Sequence, residues 1–143
     1  MPISEHCTEL VKRFEGFRQQ LYTCIGGYRT IGYGHKLSLH ENFQQISQEE
    51  GLELLHKDLE ISSRSVLRNT TCCLSQYQLD ALSSFVFNVG PAAFQRSTLR
   101  QKINYQELDK VECEMLKWVY VKAFKVPGLV LRRKAEIELF YRC

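Results

Sequence analysis

The sequence predicts an α+β fold, with a small sheet-bearing region near the N-terminus and a larger, mostly helical part after it. Three observations predict it. Residues from about Arg18 to Leu39 are rich in Gly, Tyr, Thr and Ile, the composition of short strands and tight turns. The flanking chain carries apolar residues at helical spacing. Two capping boxes, Ser47 with Glu50 and Ser75 with Gln78, mark helix starts beyond the strand-prone stretch.

Each element follows from local chemistry. Ser4 can accept a hydrogen bond from an orphan amide and so starts a first helix. Leu10, Val11 and Phe14 share one face of it, and Gly16 closes it. Leu21–Cys24 and Tyr28–Tyr33 flank the turn Ile25-Gly26-Gly27 and read as a hairpin. Gly32 and Gly34 follow, where the backbone needs freedom that a side chain would deny. The Ser47 box opens a helix with Leu52, Leu55, Leu59 and Val66 at helical spacing. The Ser75 box opens the most apolar one, with Leu79, Leu82, Phe85, Val86 and Val89, and Gly90-Pro91 breaks it. A short helix is expected from about Ser97 to Ile103 and another from about Gln106 to Tyr120. Pro127 suits the first turn of a last helix running through Leu131, Ala135 and Phe140.

Composition narrows the function classes. The 143 residues are 44% hydrophobic and 24% charged, with no repeat, linker or low-complexity run, so one folded unit is expected. No stretch is long and apolar enough for a membrane span. Glu5, Glu9, Lys12 and Arg13 interrupt the first 17 residues, so the expectation is a chain made in the cytoplasm without a signal peptide of its own. A net charge of +3 suits a polyanionic target but falls short of the basic patch of a nucleic-acid binder. The six cysteines (Cys7, Cys24, Cys72, Cys73, Cys113 and Cys143) form no C-x-x-C pair and the four His are scattered, so no metal site is expected. Most of these thiols read as small buried hydrophobes.

The residues that carry chemistry lie around the hairpin. Glu15 ends the first helix, and Cys24 and Thr30 flank the double-glycine turn. A hairpin folded back on that helix brings all three around one cleft. Taken singly, each has a plainer explanation: a solvated charge, a packed thiol, a β-prone hydroxyl. Together they form E-x8-C-x5-T, between Phe14-Glu15-Gly16-Phe17 and Thr30-Ile31-Gly32-Tyr33-Gly34-His35. This pattern resembles the phage lysozyme family, glycoside hydrolase family 24. Further blocks match in order and spacing: Gln78 to Phe85, Phe87-Asn88-Val89-Gly90, Ala93-Phe94, Ser97-Thr98-Leu99, Trp118, Pro127-Gly128-Leu129, Arg132-Arg133, Glu136 and Leu139.

The resemblance implies a lysozyme-like fold: a sheet-bearing lobe over about residues 15–45, a linking helix over about 48–68, and a helical lobe over about 70–143. It implies an endolysin-type enzyme that cuts the β-1,4 bond between N-acetylmuramic acid and N-acetylglucosamine of peptidoglycan glycan strands in the bacterial wall. No cofactor, nucleic acid or stable membrane insertion is expected, and the enzyme is expected to be a monomer. Glu15 matches the family's general acid, whose site should be partly desolvated. Cys24 and Thr30 match the pair that places the attacking water. Cys24 stands where many relatives carry Asp, and works either through weak hydrogen bonds or as a thiolate. Tyr33 and Gly34 are expected to line a sugar site. His35 reads as a structural hydrogen-bonding group and Trp118 as core. Arg132 and Arg133 read either as support for Glu15 or as a solvated pair. Val119 to Val126 lacks the Gly that many relatives carry, which leaves that loop's shape open. Two other functions fit the same residues: a lytic transglycosylase, and a catalytically silent glycan-binding domain.

Overall fold

A computed structural model describes residues 2–143. Helix α1 spans Glu5–Glu15. The Ser4 hydroxyl accepts from the His6 amide at 3.3 Å and donates to Asp80, and the Ser4 amide reaches Asp80 at 2.8 Å. One cap therefore also pins the start of α1 to helix α3, Gln76–Val89. Strands β1 (Arg18–Thr23), β2 (Arg29–Gly32) and β3 (His35–Lys36) form an antiparallel sheet in that order. The hairpin turn closes with Gly27 N–H to the Cys24 carbonyl and Cys24 N–H to the Tyr28 carbonyl, both at 2.9 Å. Strand β1 starts three residues before the apolar run that predicts it. Its extra residues, Arg18, Gln19 and Gln20, are exposed, and backbone pairing with the segment around Gln44–Ile46 holds them extended.

Helix α2, Gln48–Asn69, carries the predicted capping box and is 22 residues long, or about 33 Å. Leu55 and Leu59 pack with Cys7, Val11 and Tyr33 in one apolar cluster, while Val66 joins a second. One helix thus passes from the sheet to the helical part and contributes to both cores. The larger core is built on α3, whose Leu79, Leu82, Phe85 and Val86 are buried against Phe94, Leu99, Ile103, Met115 and Phe140. Its box at Ser75 and Gln78 is also formed. Beyond Gly90 the chain resumes as α4 (Pro91–Gln95), then α5 (Thr98–Asn104). The last helix, α7, spans Pro127–Phe140 with Pro127 in its first turn.

The segment Gln106–Tyr120 is not the single helix that its spacing predicts. Gln106 is left-handed (φ 59°), Leu108–Lys110 is a 3-10 turn, and α6 covers only Val111–Met115. The reason lies in packing. Trp118 turns inward, edge-on to Phe85 with ring centroids 5.7 Å apart, and its neighbour Val119 is also buried. The Val119 carbonyl accepts from the Val126 amide at 2.8 Å, so the backbone there pairs across a hairpin and not along a helix. The β-prone residues that follow form a two-stranded hairpin, β4 (Tyr120–Val121) with β5 (Phe124–Lys125).

That hairpin turns on Lys122 (φ 50°) and Ala123 (φ 70°), two left-handed non-glycine residues in a two-residue loop. Such turns favour Asn-Gly or Gly-Gly. A left-handed L-residue costs about 1–2 kcal/mol, and Gly gives back part of the gain through its looser unfolded state. Ala123→Gly is therefore expected to stabilise the protein by roughly 0.5–1 kcal/mol, read as a rise of about 3 °C in Tm. A lower Tm would mean that the turn is not under this strain.

All six cysteines are free thiols. No helix among the described residues is long and apolar enough to cross a membrane.

Candidate active site

A cleft of about 760 Å³ lies between the sheet and the helical part. Glu15, Cys24, Thr30 and Gly34 all line it. The facing wall includes Phe87, Asn88, Trp118, Tyr120 and Arg132. The sequence places the first four here for simple reasons. Glu15 is the last residue of α1, and Gly16 then turns the chain into β1. Cys24 and Thr30 stand at the two sides of the hairpin turn, in near register through the Tyr22–Thr30 pair. Gly34 sits in the turn between β2 and β3.

Glu15 is partly withdrawn from solvent, its side chain 20% exposed. Arg132 Nη1 donates to its Oε2 at 2.6 Å from α7, so this arginine is a partner of Glu15 and not a solvated charge. Gly34 approaches the same carboxyl from the other side. A Cβ there would stand 2.6 Å from Glu15 Oε1 and 2.8 Å from Cδ. Only a glycine lets the backbone pass so close. Across the cleft, burial pushes the Tyr22 phenol up, and the charge of Glu15 adds to the effect.

Cys24 is half-buried beside Thr30, which is buried and donates its hydroxyl to the Tyr28 carbonyl at 2.9 Å. Burial by itself raises the Cys24 thiol. Hydrogen bonding with Thr30 and with the backbone of Tyr28 and Gly26, aided by the positive charge of Lys36, outweighs it and brings the thiol below its ordinary range. Cys7 is the opposite case. Its burial, together with the negative charges of Asp80 and Glu136, pushes its thiol far up. At near-neutral pH, iodoacetamide is expected to alkylate Cys24 in the native protein and to leave Cys7 untouched until unfolding. Peptide mapping by mass spectrometry reads both sites, and equal labelling of the two would contradict this electrostatic picture.

Tyr33, expected to line a sugar site, lies outside the cleft. It is 5% exposed, packs on Phe17 with centroids 5.1 Å apart, and accepts a hydrogen bond from Gln48 at 3.2 Å. The turn between β2 and β3 sends it into the smaller core, outside the cleft that its neighbour Gly34 lines. Trp118 does two jobs, packing on Phe85 and lining the cleft. Spacing does not reveal Asp58 of α2 or Lys36 of β3 as cleft residues, because a charge on an amphipathic element reads as solvated face. Glu136 was visible only as part of a motif. Its position four residues after Arg132 on an apolar helix is the one local sign of a buried ion pair.

His35 joins β3 to α2. Its Nδ1 lies 2.7 Å from Asp58 and its Nε2 3.0 Å from Glu41. The bond to Asp58 chiefly, against the cost of burial, raises the His35 pKa. For Glu41, burial raises it, but bonds from the Ser38 backbone and His35 win and lower it. The signs define a window. The His35 contribution is complete below its unfolded value of about 6.5 and fades as pH rises through the higher folded value. The Glu41 contribution is present above its unfolded value of about 4.3 and fades as pH falls. The Tm gap between wild type and His35→Asn is therefore expected to be widest at about pH 5–6.5. A gap independent of pH would exclude the charged pair as its source.

Among the described residues, no group of three or more His, Cys, Asp or Glu gathers to hold a metal ion. The cleft instead offers a carboxyl at its floor, a polarised thiol and hydroxyl on one wall, and aromatic surface on the other. This is a layout for acid-assisted cleavage of an extended sugar chain. The whole chain is also similar to known proteins. The Phage lysozyme family model matches residues 12–136. The endolysin of Acyrthosiphon pisum secondary endosymbiont phage 1 is 40% identical over 98% of both chains. The endolysin of Salmonella phage P22 is 34% identical, again over 98% of both. Among solved structures, the muramidase domain of SpmX from Asticaccaulis excentricus superposes with a TM-score of 0.88 at 33% identity, covering 99% of this chain and 98% of that one. The chain therefore belongs to the phage lysozyme family, glycoside hydrolases that cut peptidoglycan.

Proposed function

We propose that this lysozyme hydrolyses the β-1,4 bond between N-acetylmuramic acid and N-acetylglucosamine with inversion, using Glu15 as general acid and Cys24 with Thr30 to place the water. The observation that carries the reading is the shared cleft: Glu15 opens onto the same space as the Cys24–Thr30 pair. Protonated Glu15 gives its proton to the glycosidic oxygen as the bond to the anomeric carbon breaks. Water, held by the Cys24 sulfur and the Thr30 hydroxyl, attacks that carbon from the opposite face. In its thiolate form, which the hydrogen bonds from Thr30 and the turn backbone favour, Cys24 takes up the proton that the water releases. Arg132 keeps the Glu15 carboxyl aimed while the sugar is bound.

The same reading makes the two sides of the cleft one working unit: residues 15–45 and 70–143 as lobes, and 48–68 as the helix between them. It takes the enzyme to act on the bacterial wall as a monomer, with Cys24 reduced, and Gly34 as the point where backbone and sugar come close.

Product analysis tests the reaction. Purified peptidoglycan digested to completion should yield reducing N-acetylmuramic acid ends by mass spectrometry, with the α-anomer forming first by NMR. Anhydro ends would instead mark a lytic transglycosylase. Binding to the glycan without any cleavage would mark a silent domain.

A further inference from the structure

The cleft carboxyl is the visible end of a buried ionic cluster. Arg132 is 3% exposed, and Arg133, Glu136 and Ser84 are fully buried. All three guanidinium nitrogens of Arg132 are engaged. Nη1 donates to Glu15, Nε donates to Glu136 Oε2 at 3.2 Å, and Nη2 reaches the Ser84 carbonyl and hydroxyl at 3.3 and 3.4 Å. The Ser84 hydroxyl in turn donates to Glu136 Oε2 at 2.6 Å. Arg133 Nε lies 3.1 Å from Glu136 Oε1, and its Nη2 donates to Asn88, a cleft residue. Two cations thus face two anions; Glu15 and Arg132 reach the cleft, and Arg133 and Glu136 lie behind them.

We infer that Glu136 is a positioning residue for the glycosidase reaction: through Arg132 it fixes the direction of the Glu15 carboxyl and balances the charge around it. The inference rests on the reading of Glu15 as the acid. A lone arginine beside a carboxylate can swing on its long stem, and as a free cation it favours the ionised acid. Glu136 removes both freedoms. It anchors Nε while Ser84 anchors Nη2, which leaves Nη1 one direction, toward Glu15 Oε2. It also neutralises one of two guanidinium charges, so that Glu15 need not serve as counter-ion to both. Burial already draws Arg133 down to about 10 against the pull of Glu136, a sign of how little solvent screens this cluster. The other titratable groups that feel it are Cys7 of α1, through Glu136 and Arg132, and Tyr22 of β1, through Glu15, neither of them a cation.

The test is the pH dependence of kcat and KM on purified peptidoglycan, with activity expressed per folded molecule by circular dichroism. Glu136→Gln keeps the shape and loses the charge. Two cations then face Glu15 alone, which favours its ionised form. The expected result is a fall of about tenfold or more in kcat, KM within about twofold, and an upper pH limit moved to lower pH. A wild-type kcat and pH limit would overturn the inference. Loss of a buried ionic partner can also prevent folding. In that event Ser84→Ala, which removes only one anchor and no charge, is expected to lower kcat by about threefold at unchanged KM. A wild-type kcat for Ser84→Ala would then overturn it. Glu15→Gln runs alongside: if it stays active the acid assignment fails, whereas an inactive Glu15→Gln beside a wild-type-like Glu136→Gln sinks the positioning role alone.

Discussion

Glu15→Gln is expected to reduce the cleavage of purified peptidoglycan by roughly two to four orders of magnitude, the range that general acid catalysis supplies. The amide keeps the shape of the side chain and its contact with Arg132 Nη1, but it has no proton to give to the leaving oxygen. The fold should survive the change. Arg132 retains Glu136 and both Ser84 contacts, so no guanidinium is left without a partner. The measurement is kcat with a thermal melt on the same sample. A Tm within a few degrees of wild type together with lost activity assigns the loss to chemistry. Residual activity above about a tenth of wild type would remove Glu15 from the acid role, because a missing general acid costs far more than that.

Gly34→Ala should be nearly as harmful, for two separable reasons. The residue is left-handed (φ 74°), which costs a side chain about 1–2 kcal/mol. The new Cβ would also enter the space of Glu15, 2.6 Å from Oε1 and 3.1 Å from Cγ. Such a contact cannot persist, so the carboxyl must move, and a small misplacement of a catalytic group lowers rate steeply. The expected outcome is a Tm lowered by roughly 3–6 °C with kcat lower by more than about tenfold. Gly27→Ala supplies the control. Its φ is 88°, but a Cβ there meets nothing within 4 Å. It should show the backbone cost in Tm and leave kcat in place. If both variants lost kcat equally, hairpin strain and not the encounter with Glu15 would be the cause.

The helices with strong local signals are where the chain's own chemistry puts them. Ser47 and Ser75 each close a capping box, and each starts its helix at the next residue. Those signals act within four residues, so they survive any tertiary arrangement. The segment after Gln106 lacks such a start signal, and there the apolar spacing misleads. Val111 and Met115 do lie on a helix, but it ends early because the backbone beyond is drawn into the β4–β5 hairpin, where the Val119 carbonyl accepts from the Val126 amide. Strand β1 begins before its apolar run for the same kind of reason: Gln19 and Gln20 are extended because the Gln44–Ile46 segment pairs with them, not because of their own preference.

The same division runs through the site. Sequence by itself determined the α+β class, the hairpin around Gly26-Gly27, and the spacing that presents Glu15, Cys24 and Thr30 near one another. These depend on caps, glycines and short-range alternation. Only the tertiary structure decided that Tyr33 belongs to the core and Gly34 to the cleft, since both lie in the turn between β2 and β3, where no strand or helix period assigns a face. It alone decided between the two readings of Arg132. The partner of that arginine lies 117 positions away in the chain, at the far end of α1. A contact of that separation leaves no periodic trace in sequence; it exists because α1 and α7 pack against the same buried helix, α3, whose Ser84 holds the guanidinium between them.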